Sequence, residues 1–238
     1  MRLPRRLQVL FALAATLAGC SSQPTVPAST ATLDRIEQAA VHAGSVHLVD
    51  TATASGSTSV LTGTISTKAS ALTITTSPGG ALARVVALPG RLFVAGNAAG
   101  LTDGLGFPAS VYAKVGGGWV ELTPKDAPYA TLHHLVSFAG VLLPYLASSP
   151  LKVTQVHPPG GQQSVVVTGP WAPQGNLGGW RGLATLAALG VPPLPTYGLL
   201  QLHHGATTAS RSAQFTKWGV PFSVLAPPAT SYATATGS

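Results

Sequence analysis

One thiol, seven imidazoles and six carboxylates are the side chains of this protein with the plainest chemistry. The thiol is Cys20, and a lone Cys excludes both a disulfide framework and a cysteine-based metal site. The carboxylates are Asp34, Asp50, Asp103, Asp126, Glu37 and Glu121. They are widely spread, and no pair is close enough in sequence to suggest an acid/base dyad. The imidazoles include two adjacent pairs, His133-His134 and His203-His204, with His42, His47 and His157 alone. Neighbouring residues point about 100° apart on a helix and to opposite sides of a strand, so neither pair can chelate a metal from one regular element. Surface or cavity-rim imidazoles are favoured over a zinc or copper site built by two converging pairs. There is no Gly-x-Ser-x-Gly elbow or phosphate-binding glycine loop, and Gly116-Gly117-Gly118 reads as a turn. The expectation is a protein that is not an enzyme, with no catalytic residue, no metal and no cofactor.

Cys20 draws its meaning from the segment before it. Met1 to Arg6 carries Arg2, Arg5 and Arg6, and Leu7 to Ala18 is a mostly apolar run broken only by Gln8 and Thr16. A membrane span needs about 20 apolar residues, so this run has instead the length and flanks of a secretory signal. It ends in Leu17-Ala18-Gly19-Cys20, which resembles the bacterial lipobox. There the Cys sulfur is alkylated by diacylglycerol and the chain is cut just before it. Residues 1–19 are therefore expected to be a lipoprotein signal peptide and Cys20 the lipidated residue. Two or more acyl chains give stable anchoring, at about 0.8 kcal/mol per buried methylene. The expected location is the extracytoplasmic face of the cytoplasmic membrane, held through acylated Cys20.

Cleavage would lower the formal charge from +7 to +4. The remaining cations are scattered singly and aromatic residues are only 6% of the chain, so nucleic acid is excluded as a partner. Charged residues make up 8%, against about 25% in ordinary domains, while 45% are hydrophobic. That balance also excludes intrinsic disorder.

Three regions follow from composition: the signal at 1–19, a Ser/Thr/Ala/Pro tether at 20–31, and a single folded domain at 32–238. Thr32 as N-cap, an apolar stripe of Leu33, Ile36 and Ala40, and Gly44 as stop predict a first helix. From Ser45 the period changes to two, predicting strands at 45–54, 58–67, 70–76, 82–88, 91–96, 111–115 and 119–122. The last two, joined by the three glycines, read as a hairpin. Pro128 to Leu146 predicts two short helices or a kinked one, followed by strands at 151–157 and 163–169. A helix near Trp180 to Leu189 and strands at 197–203, 209–217 and 222–225 complete the reading. The fold class is α+β, with a long antiparallel sheet and a few inserted helices.

Two stretches carry a family resemblance. Val111-Tyr112-Ala113-Lys114-Val115 with Gly118-Trp119, and Phe215 to Val224 followed by Ala226-Pro227-Pro228, are similar to motifs of the LppX/LprA/LprF/LprG lipoproteins of actinobacteria. The resemblance covers Thr32 to Tyr232, with 170–195 departing from the pattern. It implies an antiparallel half-barrel sheet with helices packed over its concave face, as in LolA and LolB. It also implies an apolar cavity that holds acyl chains of an envelope lipid or glycolipid. On that reading the protein carries or presents lipid, with an envelope lipid or glycolipid as cargo and a membrane transporter as a further partner. The other reading is a regulatory lipoprotein that partners a transporter or sensor without cargo. Strand alternation offers Leu72, Ile74, Val85, Phe93, Val111, Val153 and Val166 as lining candidates, although a one-residue register shift would reverse every face.

Overall fold

Alternating Thr/Ser and Val/Leu over successive ten-residue stretches builds this protein around one sheet. The computed structural model describes residues 30–156, 161–171 and 179–236. The signal segment, Cys20, nearly all of the tether and His157 lie outside the described residues. Helix α1 (Thr30–Ala43) buries Leu33, Ile36, Ala39 and Ala40 along one stripe. It stops at Gly44, whose φ of 79° is the left-handed conformation that glycine adopts without a Cβ penalty. The helix begins two residues inside the expected tether, so Thr32 lies within it rather than capping it.

Five strands then run as a meander: β1 (Ser45–Ala54), β2 (Ser57–Ser66), β3 (Ser70–Ser77), β4 (Ala81–Leu88) and β5 (Arg91–Gly96). A π-helical turn (Gly100–Gly104), α2 (Ala109–Val115), β6 (Trp119–Leu122), α3 (Tyr129–Leu135), α4 (Phe138–Leu142) and a 3₁₀ turn (Leu143–Tyr145) follow. The chain continues through β7 (Lys152–Val156), β8 (Ser164–Pro170), β9 (Arg181–Leu189), β10 (Leu194–His204), β11 (Thr207–Thr216), β12 (Ala229–Ser231) and α5 (Tyr232–Thr236). The strands lie in the order β12-β6-β5-β4-β3-β2-β1-β11-β10-β9-β8-β7. Neighbours are antiparallel, except that β12 runs parallel to β6. Pairing of β11 with β1 joins the two halves of the chain into one α+β domain. Among the described residues the edge strands β12 and β7 do not pair, so the sheet is open.

Register divides the side chains cleanly. Val153, Val167, Leu186, Gly198, Ala213, Asp50, Leu61, Ile74 and Ala83 form one cross-strand row on the face the helices cover. Phe215, Leu48, Gly63, Leu72, Val85, Val94 and Val120 form the next row on the same face. They share a single core with Leu132, Val136, Val141 and Leu142 from the helices. Helix and sheet are also tied by polar contact, with the Ser70 hydroxyl donating to the Val136 carbonyl at 2.8 Å. The opposite face carries Thr51, Thr62, Thr73, Gln214 and Ser212, all exposed or half-buried. Hydroxyls and amides, with a few charges such as Arg84, Arg91 and Glu121, therefore wet that surface.

Three expectations are corrected. Residues 111–115 form helix α2 and not half of a hairpin. Pro108 leads into it, and Gly116, at φ 56°, closes it by donating to the Tyr112 carbonyl at 2.8 Å. Five residues are too few to separate a period of two from one of 3.6. The buried Val111, with Tyr112 and Val115 packed beside it, marks a helical face. Residues 181–189 form strand β9 rather than a helix, paired on both sides by β8 and β10. Ala184, Leu186 and Ala188 are buried in alternation, so pairing overrides the helical preference of Leu and Ala. Residues 222–225 are not a strand; Leu225 is largely exposed, and β12 and α5 close the chain instead.

Candidate functional site

On the covered face, β1 reads Val46, Leu48, Asp50, Ala52 and β11 reads Ala209, Arg211, Ala213, Phe215. Each otherwise apolar row holds one charge. Ala52 pairs with Arg211 and Asp50 with Ala213, which makes the two charges diagonal neighbours on one face. Arg211 Nε donates to both Asp50 carboxylate oxygens at 3.0 Å, and Nη2 donates to Oδ2 at 2.7 Å. Asp50 is 2% exposed and the Arg211 side chain 25%. A buried carboxylate needs such a partner, and the fork geometry of Arg supplies it.

Tyr145, from the 3₁₀ turn, lies over this pair. Its ring rests on Gly198, where a Cβ would come within 2.5 Å of the ring, so glycine is required by the close approach. The Arg211 guanidinium sits 5.8 Å from the ring centre. The Tyr145 hydroxyl is buried without a hydrogen-bond partner, although it is close enough to feel both charges. Burial, reinforced by the Asp50 charge, raises its pKa far above that of a free phenol.

Beside Arg211 the covered face opens into a pocket of about 350 Å³. Ala52, Ala54, Leu200, Leu202 and Ala209 line it from the sheet, and Pro144 and Trp171 from above. Thr53, Ser57 and Ser210 add hydroxyl-bearing residues, and Arg211 is the one charge in a lining that is otherwise apolar. Trp171 is held by a bridge with Ala147, and its indole N–H is buried without a partner. A second pocket of about 460 Å³ lies at the other end of β2, between α1, the β2–β3 and β4–β5 turns and α3–α4. Its lining is mixed, with Glu37, Lys68 and His133 beside Val136, Phe138 and Leu142. Both pockets abut the segment from Phe138 to Leu146, which fills the ground between them.

The expected lining residues are placed as follows. Leu72, Ile74, Val85 and Val153 lie on the covered face, with all but Ile74 fully packed in the core. Phe93 pairs with Val86 and Glu121 on the opposite face, under the Arg91 guanidinium. Val166 pairs with Thr154 and Ala187, also on that opposite face. Val111 is buried on α2 rather than on a strand. None of the seven lines either pocket.

Among the described residues the histidines do not converge. His133 stacks on Tyr129 at 5.4 Å and His204 lies 5.6 Å from Trp180. Among the described residues no three His, Cys, Asp or Glu side chains are grouped to hold a metal. Asp126 closes its own turn through the Thr123 amide and hydroxyl, and Glu121 pairs with Arg91. The Asp50–Arg211 pair was not singled out from the sequence. Its signal was there: one charge at the apolar parity of each of two strands.

The chain matches no protein-family model and no curated protein. Fold and site together define an open-sheet α+β domain with an apolar pocket bounded by a buried ion pair. No helix among the described residues is long and apolar enough to cross a membrane.

Proposed function

We propose that this is a lipid-anchored envelope lipoprotein that binds the acyl chain of a lipid or glycolipid and carries or presents it. The observation that carries the reading is the pocket beside Arg211, about 350 Å³ in volume, with Leu200, Leu202, Ala52, Ala54, Ala209, Pro144 and Trp171 as its apolar lining. It falls at the lower end of the roughly 300–1,000 Å³ range of small-molecule sites, enough for part of one lipid rather than several chains. The lipobox-like segment ending at Cys20 and the resemblance to the LppX/LprA/LprF/LprG lipoproteins support the same reading. The open, mostly antiparallel sheet is compatible with the LolA-like half-barrel that the resemblance implies. Chains of such lipids leave water at a gain of about 0.8 kcal/mol per methylene, and an apolar pocket on a tethered domain offers them a place.

The test is native mass spectrometry of residues 21–238 purified from a host that makes such lipids. A lipid-sized mass shift that disappears on organic extraction is expected. Only the ligand-free mass would count strongly against the proposal. The burial of Leu48, Leu72, Val85 and Phe215, none of which lines either pocket, favours one other reading. That is a regulatory lipoprotein without cargo, for which cross-linking in cells would give one dominant transporter or sensor partner.

A further inference from the structure

We infer that the pocket beside Arg211 selects an uncharged acyl ester, whose carbonyl oxygen accepts a hydrogen bond from the free edge of the guanidinium. This rests on the lipid-binding reading and names the ligand chemistry of the same pocket. A guanidinium has five N–H donors. Asp50 takes those of Nε and one of Nη2, and the Tyr145 hydroxyl is the other polar group within the guanidinium's reach, which still leaves donors over. The side chain is a quarter exposed and forms part of the pocket wall. Asp50 and the Tyr145 ring fix the plane of the fork, so the remaining donors are oriented before any ligand arrives. They are polar donors beside Ala52, Ala54, Leu200 and Leu202.

Charge balance decides which acceptor fits. The Arg211 charge is already neutralised by a nearly fully buried carboxylate. A fatty carboxylate would place a second anion beside Asp50 in a poorly solvated pocket, where like charges repel strongly. An ester carbonyl supplies the acceptor without the charge. Its acyl chain then runs over the Leu and Ala lining, and its alcohol portion points to the open side.

The experiment uses residues 21–238, which contain the whole described fold, loaded with the uncharged fluorophore N-phenyl-1-naphthylamine. Three ten-carbon ligands displace it at about pH 8, where a fatty acid is ionised: monodecanoylglycerol, 1-O-decylglycerol and decanoate. The ester is expected to compete about fivefold better than the ether, the gain from one net hydrogen bond. Decanoate is expected to be the weakest. In the double variant Asp50→Leu/Arg211→Met the ester and ether should become equal while the fluorophore still binds. Equal competition by ester and ether in the natural protein overturns the inference, as does tighter binding of decanoate. Survival of the ester preference in the double variant overturns it too. The first two comparisons need no variant, so a double variant that failed to fold would leave the inference open to refutation. Failure of the natural protein to bind the fluorophore at all would instead sink the lipid-binding reading on which this rests.

Discussion

Removing either partner of the Asp50–Arg211 pair should cost stability, but not equally. Arg211→Ala strands a carboxylate that is 2% exposed and sits among Leu48, Leu61 and Ala213. An uncompensated buried charge costs about 3–5 kcal/mol. For a domain of this size roughly 2–4 °C of melting temperature goes with each kcal/mol, so the expected loss is about 6–20 °C. Asp50→Ala leaves the guanidinium, whose side chain is already a quarter exposed beside a pocket. It can turn toward solvent, and the cost falls to about 1.5–3 kcal/mol, the scale of a lost charge-assisted hydrogen bond. Arg211→Met keeps the apolar stem against Tyr145 yet still strands Asp50, so it should remain nearly as costly as Arg211→Ala. Replacing both, as Asp50→Leu/Arg211→Met, removes the charge problem and should return stability to near that of the natural protein. Urea unfolding followed by circular dichroism, with a shared m-value, gives all four energies. A cost for Asp50→Ala equal to or above that of Arg211→Ala would refute the reasoning, since the asymmetry follows from burial alone.

Three further outcomes are expected. Gly198→Ala forces a methyl into the Tyr145 ring, so an overpacking cost of about 1–3 kcal/mol should appear in the same unfolding assay. Tyr145→Phe removes a buried hydroxyl that has no hydrogen-bond partner and should be neutral or slightly stabilising near pH 7; a loss above about 1 kcal/mol would mean the hydroxyl is bonded. Because the Tyr145 pKa is raised on folding, its protonated form contributes stability that is complete below about pH 10 and declines as pH rises beyond it, so Tyr145→Phe should also flatten the alkaline fall in melting temperature. Replacing Cys20 with Ser should abolish labelling by a radioactive fatty acid and leave the signal segment uncleaved, and persistent labelling would defeat the lipobox reading.

What the sequence made legible follows from how long each pattern runs. Ten residues of alternation in β1 and β2 identify those strands almost to the residue, because period two cannot be mistaken over that length. Five residues from Val111 to Val115 fit either period, and only the packing of α2 against the core decides between them. The Leu/Ala composition of β9 favours a helix locally, and the strand exists because β8 and β10 offer ladder partners on both sides. Such partners lie elsewhere in the chain, and no local window contains them. The same holds for the site. Asp50 and Arg211 are 161 positions apart, and nothing short of the β1–β11 pairing brings them together. Among the lining candidates, Phe93 and Val166 are one register step away from the covered face, and their apolar character alone does not reveal it.

The buried centre of the core bears on how cargo could be held. A helix-covered sheet offers a ligand the most apolar area at its middle, yet there Leu48, Phe215, Leu72 and Val85 are buried in the core and line neither the pocket beside Arg211 nor the one against α1. These two pockets lie at the two ends of the segment from Phe138 to Leu146. That segment is two short turns of helix interrupted at Leu143–Tyr145, without the continuous hydrogen bonding of a long helix. A chain too long for one pocket must therefore either project into solvent or displace this segment from the sheet. Displacement exposes Val141, Leu142 and Tyr145, so it is favourable only if the incoming methylenes replace the apolar contacts that are lost. Low charge fits this arrangement. Charges are few, hydroxyls are common on the uncovered face, and most of the buried apolar residues of the strands lie on the covered face.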